Sequence, residues 1–166
     1  MTNAAVKAIE GTNSTIADTR KTLPGLRAIQ KYAVTCGGGH NHRYNLSDAA
    51  MLKDNHIDAG GGITKTVRAL RAKIGHTVKI EVETRTLDEV REAVAAGADI
   101  IMLDNMSLET MQEAVSIIDG KALTEASGNV TLENIKTVAE AGVNIISMGA
   151  ITHSVKAFDI SMRIRK

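Results

Sequence analysis

The sequence predicts an α/β fold, an incomplete parallel β/α barrel similar to a TIM barrel. Short β-rich runs recur about every 22 residues, the length of one strand plus one helix. The segments between these runs are amphipathic at helical spacing. Residues 77–83 and 121–127 carry charges at alternate positions, whereas strands of an open sheet covered on both faces are nearly all apolar. These observations favour a barrel of about six to seven strands over an open doubly wound sheet.

The first part of the chain contains two strand–helix units. Residues 14–18 (STIAD) form the first predicted strand, and a helix is expected from Pro24 because proline suits the first turn of a helix. Residues 49–54 (AAMLKD) form the second predicted strand, and the pattern predicts a helix over 62–73 after it.

The later part of the chain has a clearer pattern. The predicted strands are 77–83, 99–104, 121–127 and 144–149, and the predicted helices are 87–96, 108–118 and 131–141. Thr86 and Glu89 form a capping box, and Gly97 and Gly142 suit the left-handed residue that ends a helix. Residues 158–164 (FDISMRI) are a candidate for a last strand.

The length of the chain limits the barrel. A complete eight-unit barrel typically needs about 250 residues. The 166 residues therefore predict either an incomplete barrel or a barrel from which a segment in front is missing. No linker divides the chain, so we expect a single β/α-barrel domain over residues 1–166.

The composition argues against several function classes. With no Trp, one Phe, two Tyr and a net charge of +1, the chain lacks the features of a base-stacking or polyanion-binding surface. Cys36 is the only cysteine, which is typical of a reducing compartment. No apolar run approaches the length of a membrane span, and the first residues do not resemble a signal peptide. We expect a cytoplasmic protein with no nucleic-acid or membrane partner.

Polar side chains follow nearly every predicted strand. The active site of a β/α barrel lies at the carboxyl ends of its strands. Strand ends are also polar because they are solvated, but so many polar ends beside apolar strand interiors favour an active site. The basic candidates are Arg20, Lys21, His42, Arg43 and Lys53, two of them in the glycine-rich loop GGGHNHR. Guanidinium and ammonium groups suit carboxylate or phosphate, so we predict an anion site. Without a third ligand, His40 and His42 are a weak metal signal.

Carboxylates lie on the two strands that follow. Glu81 and Glu83 share one side of their strand, and Asp104 ends the next strand. They could neutralise nearby cations, hold Mg²⁺ together with substrate oxygens, or stabilise positive charge on a sugar ring. The residues alone leave these alternatives open.

Two late loops are candidate phosphate sites. The stretches ASGNV (126–130) and SMGAIT (147–152) each follow a strand and precede a helix. Small residues allow main-chain N–H groups to face an anion there, and late loops often bind phosphate in such barrels.

Taken together, the motifs resemble those of a known family. The stretches DTRKTLPGLR, GGGHNHR, MLKDNHI, KIEVET, IIMLDN, EASGNV and ISMGAIT are similar, in order and spacing, to the motifs of quinolinate phosphoribosyltransferases, the decarboxylating nicotinate-nucleotide pyrophosphorylases. The resemblance covers essentially the whole chain and implies an incomplete barrel. It also implies synthesis of nicotinate mononucleotide, carbon dioxide and pyrophosphate from quinolinate and phosphoribosyl pyrophosphate with Mg²⁺, in NAD biosynthesis.

The resemblance also implies roles for individual residues. Lys53, Glu83 and Asp104 match catalytic residues, and the two carboxylates match those that face the ribose and the metal-bound pyrophosphate. The residues that match quinolinate-binding positions are Arg20, Lys21, His42, Arg43 and Lys53. The residues that match phosphate-binding positions are Ser127, Gly128, Asn129, Gly149 and Ala150, with His153 close by.

One departure from the family affects the expected activity. Family members carry an N-terminal α/β domain that covers the partner's active site in the dimer, and nothing in this chain corresponds to it. Reduced activity is therefore expected, and a homo-oligomer is left open. A non-catalytic scaffold that retains the motifs is the main alternative, and a Schiff-base aldolase using Lys53 is a third. A family associated with molybdenum transport shares some motifs, which leaves the pyridine substrate open.

Overall fold

Six strands and eight helices lie along residues 1–165, the part of the chain that the computed structural model describes, with one or two helices between each strand and the next. The strands are β1 (Thr15–Ala17), β2 (Ala50–Leu52), β3 (Ile80–Thr84), β4 (Ile100–Asp104), β5 (Leu123–Ser127) and β6 (Ile145–Ser147). The helices are α1 (Thr2–Ala8), α2 (Arg27–Cys36), α3 (Asp54–Gly60), α4 (Ile63–Arg71), α5 (Leu87–Ala96), α6 (Leu108–Ile118), α7 (Ile135–Glu140) and α8 (Ala150–His153).

The strands form one parallel sheet in the order β1-β6-β5-β4-β3-β2. Because β1 and β2 lie at opposite edges and do not pair within residues 1–165, the barrel is open between them. The loop before β2 partly covers the edge of β1: His40 forms an isolated parallel bridge with Ala17, and its N–H donates to the Ile16 carbonyl at 2.8 Å. The predicted incomplete barrel is confirmed.

The two faces of the strands differ in chemistry. All five residues of β3 are buried. Ile80 and Val82 belong to the apolar core, which also includes Val90 of α5, whereas Glu81 and Glu83 alternate with them and lie on the inner face. Full burial of an Ile or Val side chain contributes about 1.5–3 kcal/mol. The apolar face therefore stabilises the fold, while the inner face is available for polar groups.

The predicted boundaries of α5 are confirmed by its caps. The Thr86 hydroxyl accepts from the Glu89 N–H at 3.2 Å, and the Glu89 carboxylate accepts from the Thr86 N–H at 3.1 Å. Gly97 ends the helix with φ 77°. This reciprocal cap satisfies N–H groups that a helix start leaves free.

Two expected elements differ in the structure. The strand predicted over 158–164 is wrong, because this segment is exposed coil in which Phe158 is 86% exposed. An alternating pattern forms a strand only beside a strand that supplies hydrogen-bond partners, and none within residues 1–165 pairs with it. The helix expected from Pro24 begins at Arg27, because Gly25 adopts a left-handed φ of 74° that a helix does not allow.

Within the described part of the chain, no helix combines the length and the hydropathy needed to cross a membrane.

Candidate active site

Two adjoining cavities open at the carboxyl ends of the strands. The outer cavity has a volume of about 610 Å³. The inner cavity, of about 170 Å³, lies in the mouth of the barrel. Lys21, Lys53, Glu83 and Asp104 line both of them. Ser127 also lines both cavities, whereas Arg20, His42 and Arg43 line only the inner one, and Gly128, Asn129, Gly149, Ala150 and His153 line only the outer one. The parallel strands thus bring all the predicted site residues together.

Two guanidinium groups in the inner cavity lack anionic partners among residues 1–165. The Arg43 guanidinium donates to the Ala49 carbonyl at 3.1 Å and contacts the Met51 sulfur at 3.2 Å. The buried Nε of Arg20 has no hydrogen-bond partner among the described residues. Burial lowers the pKa of Arg43, Glu81 raises it, and the positive charge of Arg20 lowers it. An anion between Arg20 and Arg43 would relieve their repulsion and satisfy their free donors.

His42 lies between two buried carboxylates. Its Nε2 is 3.2 Å from Glu81 and 3.5 Å from Glu125. Burial lowers the pKa of His42, but hydrogen bonds to Glu125 and Glu81 outweigh burial and raise the pKa to about 10. The main-chain N–H of Arg43 donates to Nδ1 at 2.8 Å and favours the singly protonated ring, with its proton on Nε2. The pKa of His42 rises nonetheless, because both carboxylates are buried and close.

This cluster has the donor set of a metal centre, since the His42, Glu81 and Glu125 ligand atoms lie within 4.8 Å of one another. However, Nε2 carries a proton whether the ring has one proton or two, so it has no lone pair to offer a metal ion. One oxygen each of Glu81 and Glu125 is buried without a hydrogen-bond partner among the described residues. Burial raises the pKa of Glu81. The geometry therefore favours a proton-bound cluster over a metal site.

The carboxylates of Glu83 and Asp104 lie where the two cavities meet. Glu83 forms an ion pair with Lys53, and Arg85 lies 3.4 Å from Glu83 and 3.7 Å from Asp104. One oxygen of Asp104 accepts from the Asn105 amide at 3.1 Å, while the other has no partner among residues 1–165. These are hard oxygen ligands of the kind that Mg²⁺ prefers, so the residues fit a magnesium ion held through one or two carboxylates.

The loop after β5 has an unusual main-chain conformation. Gly128 and Asn129 have φ values of 95° and 51°, and Asn105 opposite them has 53°. The Asn129 amide donates to the Asn105 side-chain oxygen at 3.0 Å, which joins this loop to the end of β4. Consecutive residues in such conformations turn their N–H groups toward one concave surface that suits an anion.

The loop after β6 also lines the outer cavity. Gly149 and Ala150 start α8, and their N–H groups find no acceptor among the described residues. A Cβ on Gly149 would lie 2.9 Å from the ring of His153, so a side chain there would require this ring to move. Nδ1 of His153 lies 2.7 Å from the Ser154 hydroxyl.

Sequence reasoning missed several residues of this region. Arg85 follows β3 directly and could have been found by the rule that identified the other strand ends. Gln30 and Lys31 lie on α2 and are almost completely buried. No signal marks them, because a polar residue on an amphipathic helix is usually exposed.

Comparison with known proteins agrees with this geometry. A sequence profile described as "Quinolinate phosphoribosyl transferase, C-terminal domain" matches residues 1–163. The "Probable nicotinate-nucleotide pyrophosphorylase [carboxylating]" of Bacillus subtilis is 49% identical over 164 residues, which are 99% of this chain and 57% of that protein. Its namesake from Synechocystis sp. is 48% identical and covers the same shares of the two chains.

Two solved structures are similarly close. NadC from Streptococcus pyogenes superposes with a TM-score of 0.94 at 47% identity, covering 98% of this chain and 57% of that one. The nicotinate-nucleotide pyrophosphorylase from Francisella tularensis superposes with a TM-score of 0.93 at 50% identity, covering 96% of this chain and 57% of that one.

Fold and site together define a parallel β/α-barrel domain with anion-binding groups at the carboxyl ends of its strands. The chain belongs to the quinolinate phosphoribosyl transferase C-terminal domain family. It spans 57% of the length of the bacterial relatives described above.

Proposed function

We propose that this chain is the catalytic barrel of a decarboxylating quinolinate phosphoribosyltransferase. It would transfer a phosphoribosyl group from phosphoribosyl pyrophosphate to quinolinate and yield nicotinate mononucleotide, carbon dioxide and pyrophosphate for NAD biosynthesis. The observation that carries the proposal is the order of charges along the cavities. Among the described residues, guanidinium groups without an anionic partner lie in the inner cavity, main-chain N–H groups without an acceptor lie in the outer one, and carboxylates lie between them.

The inner cavity supports binding of a small dicarboxylate. Arg20 and Arg43 offer planar donor groups, and Lys21 adds a point charge. A cavity of about 170 Å³ is small, so it favours one compact ring over an extended ligand. His42 lines this cavity, but its Nε2 faces Glu81 and Glu125.

The outer cavity supports binding of the phosphate groups. Ser127 to Asn129, Gly149, Ala150 and His153 all line it. Main-chain N–H groups bind phosphate without a charged side chain, so the site accepts an anion although the chain carries a net charge of only +1.

We propose that Glu83 and Asp104 act on the reacting sugar. Positive charge develops on the ribosyl carbon as pyrophosphate leaves, and the two carboxylates would stabilise that charge. We propose that Glu83 and Asp104 also hold Mg²⁺, which would supply positive charge to the departing pyrophosphate. Lys53 would orient Glu83 through their ion pair and bind a substrate carboxylate with its remaining protons.

The ion pair of Lys53 is also evidence against the aldolase alternative. A Schiff base forms from a neutral amine, whereas Lys53 is paired with the Glu83 carboxylate.

An apolar patch supports the proposal of a homo-oligomer. Leu23, Leu26, Ile29 and Tyr32 lie along the start of α2 and the loop before it, and they are between 38% and 70% exposed. Apolar side chains exposed together often mark a protein–protein contact. We propose that a second copy or a further domain covers this patch and excludes water from the mouth of the barrel. We also propose a cytosolic location, on the basis of the single cysteine, Cys36, which is a free thiol.

An activity assay tests the proposed function. The chain is incubated with quinolinate, phosphoribosyl pyrophosphate and Mg²⁺, and nicotinate mononucleotide is measured by chromatography. The same assay is run on the chain joined to the segment that the Bacillus subtilis relative has in addition. We expect weak turnover by the chain alone and higher turnover by the joined protein, because water is then excluded from the site.

Matched variants separate catalysis from scaffolding. Glu83→Gln should lower turnover at least about a hundredfold, because it removes a charge at the reacting centre. Glu113→Gln is the control, since Glu113 is an exposed residue of α6 paired only with Arg91. No product from either protein, or equal turnover by the two variants, would favour the non-catalytic scaffold.

A further inference from the structure

Helix α2 carries a lysine whose side chain lies in the protein interior. Lys31 is 2% exposed, and its ammonium lies 2.5 Å from the Asp18 carboxylate, which is completely buried at the end of β1. Replacing a buried ion pair by apolar side chains is often neutral or stabilising, so such a pair is weak evidence for a role in stability. The neighbours of Lys31 and Asp18 indicate a different role.

The pair binds the main chain of His42 from both sides. The Lys31 ammonium donates to the His42 carbonyl at 2.9 Å, and the His42 N–H donates to the same Asp18 oxygen at 2.8 Å. With its amide nitrogen turned toward two acceptors, Asn41 donates to the other Asp18 oxygen at 2.8 Å and to the Lys31 carbonyl at 2.9 Å. The loop that carries His42 and Arg43 is therefore fixed by four hydrogen bonds to two buried residues.

Arg43 depends on this loop for its position. Its main-chain N–H is bound to the His42 ring, and its side chain lines the inner cavity. A shift of the His42 main chain would move both the imidazole and the guanidinium relative to Arg20. Displacement of a binding group by about 1 Å is enough to weaken a preorganised site strongly.

We propose that Lys31, acting with Asp18, is a positioning residue of the inner cavity. It holds the His42 main chain so that Arg43 and Arg20 converge on one anion, and its own side chain does not touch the ligand. The proposal rests on the proposed function in taking that anion to be a small aromatic dicarboxylate.

Two variants of the full chain test this proposal. Lys31→Met removes the ammonium and leaves a buried carboxylate, so it carries a risk of poor folding. The double variant Asp18→Asn with Lys31→Met removes both charges but keeps an oxygen that can accept from the His42 N–H. Ile118→Ala is the matched control, because it creates a cavity in the core beneath α6, away from the loop.

Two measurements decide the outcome. Amide hydrogen exchange by NMR compares His42 and Arg43 with Val82 of β3, and calorimetry measures the affinity for phthalate, a benzene dicarboxylate. We expect at least about tenfold faster exchange in the loop relative to Val82 and about tenfold weaker phthalate binding in the double variant. The control should lower stability without faster exchange of the loop relative to Val82 and without weaker phthalate binding.

Wild-type loop exchange and wild-type phthalate affinity in the double variant would overturn the positioning role. Failure of the wild-type chain to bind phthalate would count against the proposed function instead, and the exchange measurement would then decide the role of Lys31 alone.

Discussion

The loop after β5 allows a substitution that separates conformational strain from damage to the phosphate site. Gly128 has φ 95°, and a Cβ added to it would lie 2.5 Å from Cγ and 2.7 Å from Nδ2 of Asn105, and closer still to its oxygen. Gly128→Ala must therefore displace Asn105. Asn105 in turn holds Asn129 at 3.0 Å and Asp104 at 3.1 Å. The substitution thus disturbs the site although alanine adds only one methyl group.

The cost can be worked out from these contacts. A left-handed conformation costs alanine about 1–2 kcal/mol relative to glycine. Loss of the two exposed Asn105 hydrogen bonds adds about 0.5 kcal/mol each. The total of about 2–3 kcal/mol should lower the Tm by roughly 4–12 °C in a domain of this size. Binding of phosphoribosyl pyrophosphate with Mg²⁺ should weaken about tenfold, which corresponds to about 1.4 kcal/mol.

Gly97→Ala supplies the matched control. Gly97 is also left-handed, with φ 77°, but an added Cβ there meets nothing within 4 Å, and the residue lies at the end of α5. The Gly97→Ala variant should lose about 1–2 kcal/mol of stability from strain alone and keep its affinity for phosphoribosyl pyrophosphate. Differential scanning calorimetry and titration calorimetry measure the two quantities. Unchanged affinity in Gly128→Ala, or an equal loss in Gly97→Ala, would refute the reasoning.

Three further predictions concern the inner cavity and the scaffold. Arg43→Ala should weaken phthalate binding at least about tenfold in a calorimetric titration, because it removes a charged donor group, whereas Arg91→Ala on α5 should not. The hydrogen bonds that raise the pKa of His42 stabilise the fold fully below pH 6.5, and this contribution should be lost as the pH rises toward about 10. In denaturant unfolding at several pH values, the free energy of unfolding of His42→Asn should therefore depend less on pH than that of the wild-type chain. Thr86→Ala should cost about 1 kcal/mol of unfolding free energy through loss of the α5 cap, with turnover unchanged; altered turnover would contradict the separation of cap from site.

The strand ends show which site residues the local sequence pattern predicts. Lys53, Glu83 and Asp104 were predicted as neighbours because parallel strands end at the same edge of a sheet, and they line both cavities. The same rule would have found Arg85, which contacts Glu83 and Asp104. These positions are readable because alternation along a strand decides which side chains face inward, and alternation is visible in the order of residues.

Two residues of α2 show what the local sequence pattern does not predict. Lys31 and Gln30 are next to each other on α2, and both are buried. Gln30 accepts from the Leu23 N–H at 2.9 Å and donates to the Thr152 carbonyl at 2.6 Å, so it joins the loop after β1 to α8. Partners 7 and 122 residues away cannot be inferred from helical spacing.

Residues 158–164 show that a strand pattern in the sequence is not sufficient to form a strand. Their alternating pattern is that of a strand, yet the segment is exposed coil because no strand within residues 1–165 pairs with it. Strand periodicity describes which faces a segment would present, whereas hydrogen-bond partners decide whether the strand forms.

The order of residues was sufficient for the barrel class, the helix caps and the set of charged groups at the strand ends, because each depends on spacing within a few residues. Only the tertiary structure decided how those charges are paired. It placed Lys53 against Glu83, enclosed the His42 ring between Glu81 and Glu125, and left Arg20 and Arg43 without anionic partners in the described part of the chain. Pairing depends on distances of a few ångströms between groups far apart in the chain, and only packing determines those distances.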